Sequence, residues 1–483
     1  MKPRKSGLPT PSVSVVESRP MRRIIIPSVI GAVLLSVSVF TAALGLAGTL
    51  TPAPEVLPQK PVSDSRADVP PFDWTASSFQ PRPPEIEALA AVLLDHETGA
   101  VLYEKNPDDS LPPASLIKLV VMDAVLDAVD SGTLDPDEDI PIPPAAWSRN
   151  APPRSSLMFL GPGQRASLDD LMLGLAIPSG NDAAVGAALL LNDSVEDFVA
   201  VMNRRLASRG YEKTRMVEPS GYSLDNSTSA AEFARFCREY ILRHPEALEK
   251  YHSVPAFSYP RPENMLPGHH ENTIYQQNFN RLLSLMPEAD GLKTGTIPSF
   301  GYNLAATAIR DGRRLVSVVL GVQAESAREG NDRRAMVSRD LLEYGFNGYS
   351  LVEADLPDPG SVRLYGSEYR EVPLYIDAAW AGEGEKIAVP AGLGDKLRAH
   401  LRGARRLRGP VSAGTELGEI VVTADGEEVF TAPLRSLITA EEAVWWKRIA
   451  DWALIAWERF QGEAVPPGID DYLRSSAAVH PGN

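Results

Sequence analysis

The chain has 483 residues, a hydrophobic fraction of 44%, a formal net charge of -16 at pH 7 and a pI near 5.0. Its length exceeds what one hydrophobic core usually serves, so two folded domains with extensions are expected. The acidic balance argues against a broad nucleic-acid surface, because phosphate binding needs clustered Lys and Arg. The single cysteine, Cys237, excludes an internal disulfide, and we interpret it as a small buried apolar residue.

The N-terminal segment contains an uncharged apolar run over residues 24–47. Basic residues precede it, namely Lys2, Arg4, Lys5, Arg19, Arg22 and Arg23. This pattern is typical of an export signal whose basic end stays inside the cell. The run is long enough to span a bilayer, so we favour an uncleaved membrane anchor over residues 1–50, while small residues at 45–47 keep signal cleavage as the alternative. Either way, we expect the remaining chain at the cell membrane and outside the cytoplasm.

Proline and polar residues crowd residues 51–85, a composition that favours an extended tether. Two short strands are predicted next, over residues 89–94 and 100–104, joined through Thr98 and Gly99. They open a region of mixed helices and strands that we assign to residues 86–350.

Apolar residues then recur at helical spacing from Ser115 and stop before Gly132, which predicts a helix with Ser115 in its first turn. A second helix is predicted over residues 167–177, and a third resumes at Asp182. Over residues 301–322, side-chain character alternates and β-branched residues are frequent on both sides of Asp311-Gly312. This pattern predicts a hairpin, and residues 291–296 are expected to form the edge strand that leads into it.

The composition shifts near residue 353 to short alternating strands, and we interpret residues 365–437 as a small all-β domain with a hairpin at Asp425-Gly426. An amphipathic helix is predicted within residues 438–462, followed by a tail over residues 463–483. Its apolar face collects Trp445, Trp446, Ile449, Trp452, Ala453, Ala456, Trp457 and Phe460. A face so rich in tryptophan favours the bilayer interface, and packing against the β domain is the alternative.

Ser115 and Lys118 are three positions apart, so they share one helical face and the amine can reach the hydroxyl. A desolvated lysine becomes neutral near pH 7 and can act as a general base. The Ser115 backbone N–H, in a first helical turn, is also free to bind a developing oxyanion. In isolation, however, such a pair is far more often a surface serine near a solvated lysine.

Two further motifs, in fixed order, favour catalysis. Ser179-Gly180-Asn181 lies at the break between two apolar helices, and Lys293-Thr294-Gly295-Thr296 lies on the predicted strand edge. In this arrangement Ser179 can relay a proton to a leaving amine, Asn181 can hydrogen-bond a substrate amide, and Lys293 with Thr294 can meet a carboxylate. Gly295, without a Cβ, lets a peptide approach the edge and add on as a strand.

The sequence resembles the serine D-alanyl-D-alanine carboxypeptidases among the low-molecular-mass penicillin-binding proteins. The motifs are joined by blocks such as LLDHETGAVLYEKN, IPSGNDAA and DGLKTGTIPSFGYNLAATAIRDGRRLVSVVLG, and the resemblance covers residues 88 to about 345. It implies an α/β (α+β) fold, with a serine β-lactamase/DD-peptidase-like catalytic domain of antiparallel sheet and helices. The small all-β domain and the terminal amphipathic helix also resemble parts of this family.

By this resemblance Ser115 is the nucleophile, Lys118 its base, and Ser179 and Asn181 the second catalytic element. Lys293, Thr294 and Gly295 help bind the substrate, and Thr296 supplies an oxyanion-hole N–H. The implied reaction is removal of the terminal D-alanine from a peptidoglycan stem peptide through an acyl-enzyme, with β-lactam antibiotics as covalent inhibitors. The implied mechanism requires no metal or other cofactor, and His269 and His270 are interpreted as a surface loop.

Two departures from the family pattern bear on substrate preference. Asn226 stands where a histidine is more common, and residues 297–300 differ from the usual run. Two rival functions also stay open at this point. A serine β-lactamase needs a carboxylate base, for which Glu218 is a candidate, and a non-catalytic penicillin-binding sensor or scaffold would keep the pocket without turnover.

Overall fold

The structure is a computed structural model that describes Trp74 and residues 78–136, 140–353, 356–377 and 386–479. The predicted membrane anchor and most of the predicted tether lie outside these residues. Within the described part of the chain, no helix is both long enough and apolar enough to cross a bilayer.

The described chain contains seventeen strands and nine α-helices, besides short 3-10 turns and one π-helical turn. The strands are β1 (Ala90–Asp95), β2 (Val101–Lys105), β3 (Ile140–Pro141), β4 (Arg165–Ala166), β5 (Ala256–Tyr259), β6 (Ile274–Gln277), β7 (Ala289–Ile297), β8 (Gly301–Arg310), β9 (Arg313–Val322), β10 (Tyr349–Glu353), β11 (Ser361–Tyr365), β12 (Glu371–Ile376), β13 (Lys386–Pro390), β14 (Leu397–Gly403), β15 (Arg406–Arg408), β16 (Glu416–Ala424) and β17 (Glu427–Ser436). The helices are α1 (Lys118–Asp130), α2 (Leu168–Ala176), α3 (Asn181–Leu191), α4 (Val195–Ser208), α5 (Ala230–Arg243), α6 (Leu282–Leu285), α7 (Ala327–Gly348), α8 (Trp445–Phe460) and α9 (Ile469–Val479).

A five-stranded antiparallel sheet forms the centre of the first region, in the order β2-β1-β9-β8-β7. Alternate residues of β1 enter two different cores: Val92 and Leu94 face the helical region, while Leu93 faces α7. Because both faces are covered, β1 is a nearly continuous apolar run. The predicted strand pair and the hairpin at Asp311-Gly312 are confirmed, and β7 lies at the edge of the sheet.

The segment around Ser115 differs from the prediction. Residues Ala114–Ile117 form a 3-10 turn, and the α-helix begins only at Lys118. Ala114 has a φ of 52°, outside the right-handed helical region, so the chain cannot continue smoothly from Pro113 into α1. Residues i and i+3 eclipse in a 3-10 turn, which still aligns Ser115 with Lys118.

The second region contains a six-stranded sheet in the order β14-β16-β17-β12-β11-β15 and a separate antiparallel pair, β10 with β13. The hairpin at Asp425-Gly426 is present between β16 and β17. The strands of this sheet begin at Ser361, slightly before the predicted boundary, and end at Ser436.

The amphipathic helix α8 contacts the six-stranded sheet through its polar side. Asp451 is buried and accepts a hydrogen bond of 2.6 Å from the Gly366 backbone N–H, and Glu458 accepts one of 2.8 Å from the Tyr365 hydroxyl. The apolar side faces outward, with Trp452 72% and Phe460 82% exposed. The helix therefore packs on the β domain, as in the alternative prediction, but through its polar side and not through the tryptophan-rich face.

The segment predicted as a tail contains a helix, α9, that returns to the sheet. Ile469 is buried, the Tyr472 hydroxyl donates 3.1 Å to the Leu417 carbonyl, and Gly468 forms a parallel bridge with Arg408. The segment that we predicted only as a tail therefore contains a helix at residues 469–479. Sequence reasoning missed this helix because its apolar stripe is short and its packing partner lies on a distant strand.

A buried charge on α1 ties the helix that carries Lys118 to its neighbours. Asp123 is 2% exposed and forms ion pairs with three guanidinium groups. These belong to Arg205 on α4, Arg209 just after α4 and Arg243 at the end of α5. Burial alone would raise the pKa of Asp123, but neighbouring His244 and the three guanidinium groups outweigh burial and lower it. The carboxylate is therefore part of the scaffold that positions α1.

We predict that Asp123→Asn lowers the free energy of unfolding by about 2 kcal/mol, less than for a fully buried pair because the guanidinium groups remain partly in water. Since the pKa is lowered by folding, the stabilisation should be fully present above the unfolded value of about 3.9 and disappear as the pH falls through the folded value. Denaturant titration at several pH values measures both effects. Asp193→Asn, an exposed aspartate after α3, is the matched control, and an equal loss in both variants would contradict the assignment.

Candidate active site

The nucleophile turn, residues 113–117, lies against the edge strand β7. An ideal Cβ placed on Gly295 would be 2.8 Å from the Pro113 carbonyl oxygen and 3.3 Å from the Ser115 nitrogen. A side chain at this position would therefore push the strand away from Ser115. We expected Gly295 to make room for substrate, and the structure shows that its immediate steric constraint is the nucleophile turn itself.

Gly221, on a loop outside the sheet, also lies against this turn. Its φ is 77°, and an ideal Cβ would be 2.0 Å from the Ala114 carbonyl oxygen and 2.8 Å from the Ser115 nitrogen. Only glycine fits both the left-handed backbone and this contact. The loop after Glu218 is therefore part of the site, although the three motifs do not include it.

The Lys118 amine is fully buried and touches three groups. Its Nζ lies 2.8 Å from Ser115 Oγ and 2.9 Å from Asn181 Oδ1, and it donates a short hydrogen bond to the Ser220 carbonyl oxygen. A neutral amine has two N–H donors and one lone pair. With the donors directed at Asn181 and Ser220, the lone pair is left for the Ser115 hydroxyl.

Burial lowers the pKa of Lys118 to about 7, although the negative charges of Glu218 and Asp182 oppose the shift. The amine is thus neutral in a large fraction of molecules near neutral pH. A neutral amine within hydrogen-bond distance of a hydroxyl meets both requirements of a general base, which are geometry and proton affinity.

The second motif lies at the start of α3. Asn181 is held in one orientation because its Nδ2 donates 3.0 Å to Ser155 Oγ, which turns Oδ1 towards Lys118. Ser179 adopts a φ of 59°, uncommon for a residue with a side chain, and its hydroxyl accepts a 2.9 Å hydrogen bond from Lys293 Nζ. This bond therefore joins the Ser-Gly-Asn motif to the Lys-Thr-Gly-Thr motif.

Lys293 and Arg334 are two buried basic side chains at the deep end of the site. Burial lowers the pKa of Lys293 well below its ordinary value, and the charges of Lys118 and Arg334 lower it further. Arg334 is 2% exposed, and its Nη1 donates 3.0 Å to the Gly295 carbonyl and 3.0 Å to Thr296 Oγ1. Burial lowers its pKa to about 9. Among the described residues, the hydrogen bonds of Arg334 go to neutral groups, so the region favours an anionic ligand.

Sequence reasoning missed Arg334, because nothing in its local pattern on α7 distinguishes it from neighbouring surface arginines. It also missed Asp182, which is buried and accepts backbone hydrogen bonds of 2.8 to 2.9 Å from Met158, Phe159 and Leu160. Asn303 was missed as well, and its amide donates 3.0 Å to the carbonyls of Pro112 and Pro113. The available signals were a polar residue at the start of a helix for Asp182 and a polar residue inside an apolar strand for Asn303, since a buried polar side chain needs hydrogen-bond partners.

Glu218 and Asn226 hold the loop that presents Gly221. The Glu218 carboxylate accepts hydrogen bonds from the Ser220 backbone and hydroxyl, the Ser223 backbone and Asn226 Nδ2. Burial alone would raise the pKa of Glu218, but these donors outweigh it and lower the pKa. Because its oxygens are engaged within the loop, Glu218 does not resemble a free base poised over a substrate. Asn226 is fully buried beneath it and acts as a loop support.

A cleft of 480 Å³ opens in front of Ser115 and Asn181. Residues 153–156, 221–224 and 296–299 form its walls. The structure thus brings all eight predicted site residues into one region, with Ser115 and Thr296 at the cleft and Lys118 and Lys293 buried behind it. A serine beside a neutral amine, a cationic end and an accessible sheet edge define a serine hydrolase that acts by acyl transfer on a peptide.

Comparison with known proteins identifies the family. The sequence pattern of the D-alanyl-D-alanine carboxypeptidases, peptidase S11, matches residues 77–324. D-alanyl-D-alanine carboxypeptidase DacA of Haemophilus influenzae is 31% identical over 383 residues, which cover 78% of this chain and 91% of the relative. DacC of Escherichia coli is 30% identical over 385 residues, covering 78% of this chain and 90% of the relative.

A solved structure, penicillin binding protein 5 from Haemophilus influenzae, superimposes with a TM-score of 0.63 at 30% identity, covering 75% of this chain and all of that chain (100%). Penicillin binding protein 6B from Escherichia coli gives a TM-score of 0.56 at 30% identity, with 74% and 98% covered. The chain belongs to the D-alanyl-D-alanine carboxypeptidase family, and the predicted fold class and serine carboxypeptidase activity are confirmed.

We predict that kcat/KM for D-alanine release rises with pH and reaches half its plateau near pH 7, because only the neutral Lys118 amine accepts the Ser115 proton. Initial rates on one D-Ala-D-Ala peptide, measured from acidic to alkaline pH, give the profile. Lys118→Arg, which keeps a permanent charge, should be inactive throughout. A wild-type profile that stays flat across neutrality would contradict the role of Lys118.

Proposed function

We propose that the protein trims peptidoglycan stem pentapeptides and that the acyl-enzyme forms on Ser115. Lys118 Nζ takes the hydroxyl proton as Ser115 Oγ bonds to the carbonyl carbon of the penultimate D-alanine. The backbone N–H groups of Ser115 and Thr296 stabilise the negative charge on the carbonyl oxygen. The observation that carries this proposal is the 2.8 Å contact between a buried, neutralisable amine and the serine hydroxyl.

The second motif completes the acylation step. Ser179 and Asn181 lie between the two lysines, so Ser179 can relay the proton held by Lys118 to the nitrogen of the leaving D-alanine as the C–N bond breaks. Water then attacks the ester carbon and gives its proton to Lys118, which returns a proton to Ser115 Oγ as the C–O bond breaks. Atoms balance with one water consumed and one D-alanine released.

The cationic end of the site binds the terminal carboxylate in this proposal. Lys293 and Thr294 lie on β7, and Arg334 reaches the same strand from α7 through Gly295 and Thr296. A substrate carboxylate would neutralise part of this buried positive charge, which gives a physical reason to prefer a free C-terminus over an internal peptide bond.

Release of D-alanine from a stem pentapeptide tests the proposal directly. We expect wild-type protein to release it and Ser115→Ala to fall to the uncatalysed rate, because the ester cannot form without the hydroxyl. Ser131→Ala, an exposed serine beyond the other end of α1, should retain wild-type activity. Equal release from wild-type and Ser115→Ala protein would sink the assignment.

The same variants test β-lactam sensitivity, which we propose because the names of the structural relatives describe penicillin-binding proteins. Penicillin should acylate Ser115 and remain attached, so intact-mass spectrometry after brief exposure should show one added penicillin on wild-type protein and none on Ser115→Ala. Rapid penicillin hydrolysis without a lasting adduct would instead favour a β-lactamase. The engaged carboxylate of Glu218 argues against that outcome.

We also propose a place for the protein in the cell. The apolar run at residues 24–47 anchors the chain, and the proline-rich residues 51–85 lead to the catalytic region on the outer side of the membrane. The catalytic domain then spans residues 86–350, and the β domain at 365–437 serves as a spacer. This arrangement places the cleft where stem peptides are found.

Helix α8 provides the second membrane contact in this proposal. Its polar residues hold it on the β sheet, while Trp445 (73% exposed) and Trp452 (72% exposed) project away from the protein. Tryptophan rings favour the interface between headgroups and acyl chains. Because charges of both signs occur on the helix, the attraction should depend on apolar contact more than on anionic lipid.

In phosphatidylcholine vesicles with brominated acyl chains, the full chain should show quenched tryptophan emission. Trp445→Ser combined with Trp452→Ser should remove most of the quenching, since these rings are the most exposed tryptophans described. Trp147→Phe, in the catalytic region, should keep it. Unchanged quenching in the double variant would contradict insertion of α8.

A further inference from the structure

The active-site cleft contains one charged side chain that the reaction does not use. Of the described residues that line the cleft, Arg154 is the one with an ionised side chain, and the remaining walls are serines, threonine, asparagine, glycine, proline, tyrosine and aliphatic groups. A single cation in a neutral peptide-binding cleft distinguishes one kind of substrate from another, because it attracts a carboxylate and repels an ammonium.

Arg154 is not used to hold the fold together. Its side chain is exposed, and no ion pair or hydrogen bond of its guanidinium with another described residue is present. Its backbone has a φ of 62°, in the left-handed region that favours glycine. Neither packing nor backbone geometry therefore calls for arginine here, and the conformation itself disfavours it. Such a combination points to a role in ligand binding.

The direction of the substrate determines which of its parts meets Arg154. In the proposed function the terminal carboxylate lies near Lys293 and Thr294, and the scissile carbonyl lies at Ser115, beside Gly295. A peptide added along β7 then runs past Thr296 towards residues 297–299. Those residues line the cleft together with Arg154, whereas Lys293 and Thr294 do not line it. The cleft therefore receives the acyl-donor part of the substrate, which precedes D-Ala-D-Ala.

We propose that Arg154 binds a carboxylate on the acyl-donor part of the stem peptide and makes the enzyme selective for substrates that carry it. This inference rests on the proposed function. Two groups offer this chemistry: a carboxylate on the side chain of the third residue, as in diaminopimelate, and the α-carboxylate of a γ-linked glutamate one residue earlier. A third-residue lysine presents an ammonium instead, which Arg154 disfavours.

The experiment compares kcat/KM for D-alanine release from three pentapeptides. The first contains diaminopimelate and a free glutamate α-carboxylate, the second replaces diaminopimelate by lysine, and the third amidates the glutamate α-carboxylate. On one of the two altered peptides, kcat/KM of the wild-type protein should fall by about threefold to fivefold, which is the upper range for an exposed charge pair. A loss on the second peptide would identify the side-chain carboxylate of diaminopimelate as the group that Arg154 binds. A loss on the third peptide would identify the α-carboxylate of glutamate.

The selectivity ratio is kcat/KM on the first peptide divided by kcat/KM on the altered peptide. Arg154→Gln should reduce this ratio to near one, and Arg154→Lys should retain part of it. Arg154→Gly should lose the selectivity as well, yet melt at no lower temperature, because glycine suits the backbone at this position. Arg149→Gln removes a neighbouring guanidinium that stacks on Trp147, 4.3 Å from the ring centre, and should keep the wild-type ratio.

Equal kcat/KM on all three peptides, or an unchanged ratio in Arg154→Gln, would overturn the inference while leaving the carboxypeptidase assignment intact. Failure of wild-type protein to release D-alanine from any of them would instead overturn the proposed function. A ratio that changes equally in Arg154→Gln and Arg149→Gln would show a general effect of surface charge and would also count against Arg154.

Discussion

The site depends on one buried amine. Lys118 lies within hydrogen-bond distance of Ser115, Asn181 and the Ser220 carbonyl, so it joins the nucleophile turn, the second motif and the loop after Glu218 at a single atom. Burial that neutralises the amine also makes it a base. The surrounding structure must therefore exclude water while offering two acceptors and one hydroxyl, and much of the fold near the site meets this requirement.

Steric contacts hold these pieces in register. Gly221 and Gly295, on a loop and on β7, both lie against the nucleophile turn, and a Cβ on either would collide with its backbone. Asn303 adds hydrogen bonds from β8 to the two carbonyls before Ala114. The turn is thus held between a loop and a sheet edge, and it keeps a φ at Ala114 that an isolated helix would not adopt. Such preorganisation costs no rearrangement during acylation.

Local pattern predicted most elements, because each was encoded by neighbouring residues. The hairpins at Asp311-Gly312 and Asp425-Gly426 follow from turn chemistry, and α1 follows from its apolar spacing. Two features had no such local origin. The 3-10 turn at Ser115 depends on distant Asn303 and Gly221, and helix α9 depends on a strand to which Gly468 pairs.

The amino-acid sequence was enough to identify the reactive groups: a serine and a lysine three positions apart, a Ser-Gly-Asn break, a Lys-Thr-Gly-Thr strand and a tryptophan-rich helix. These depend on residue type and short spacing, which are readable without coordinates. Three contacts became visible only in the folded chain: Arg334 reaches β7, Arg154 lines the cleft, and α8 binds the sheet through Asp451 and Glu458. Each of these depends on segments far apart in the chain, whose proximity is set by packing of the whole molecule.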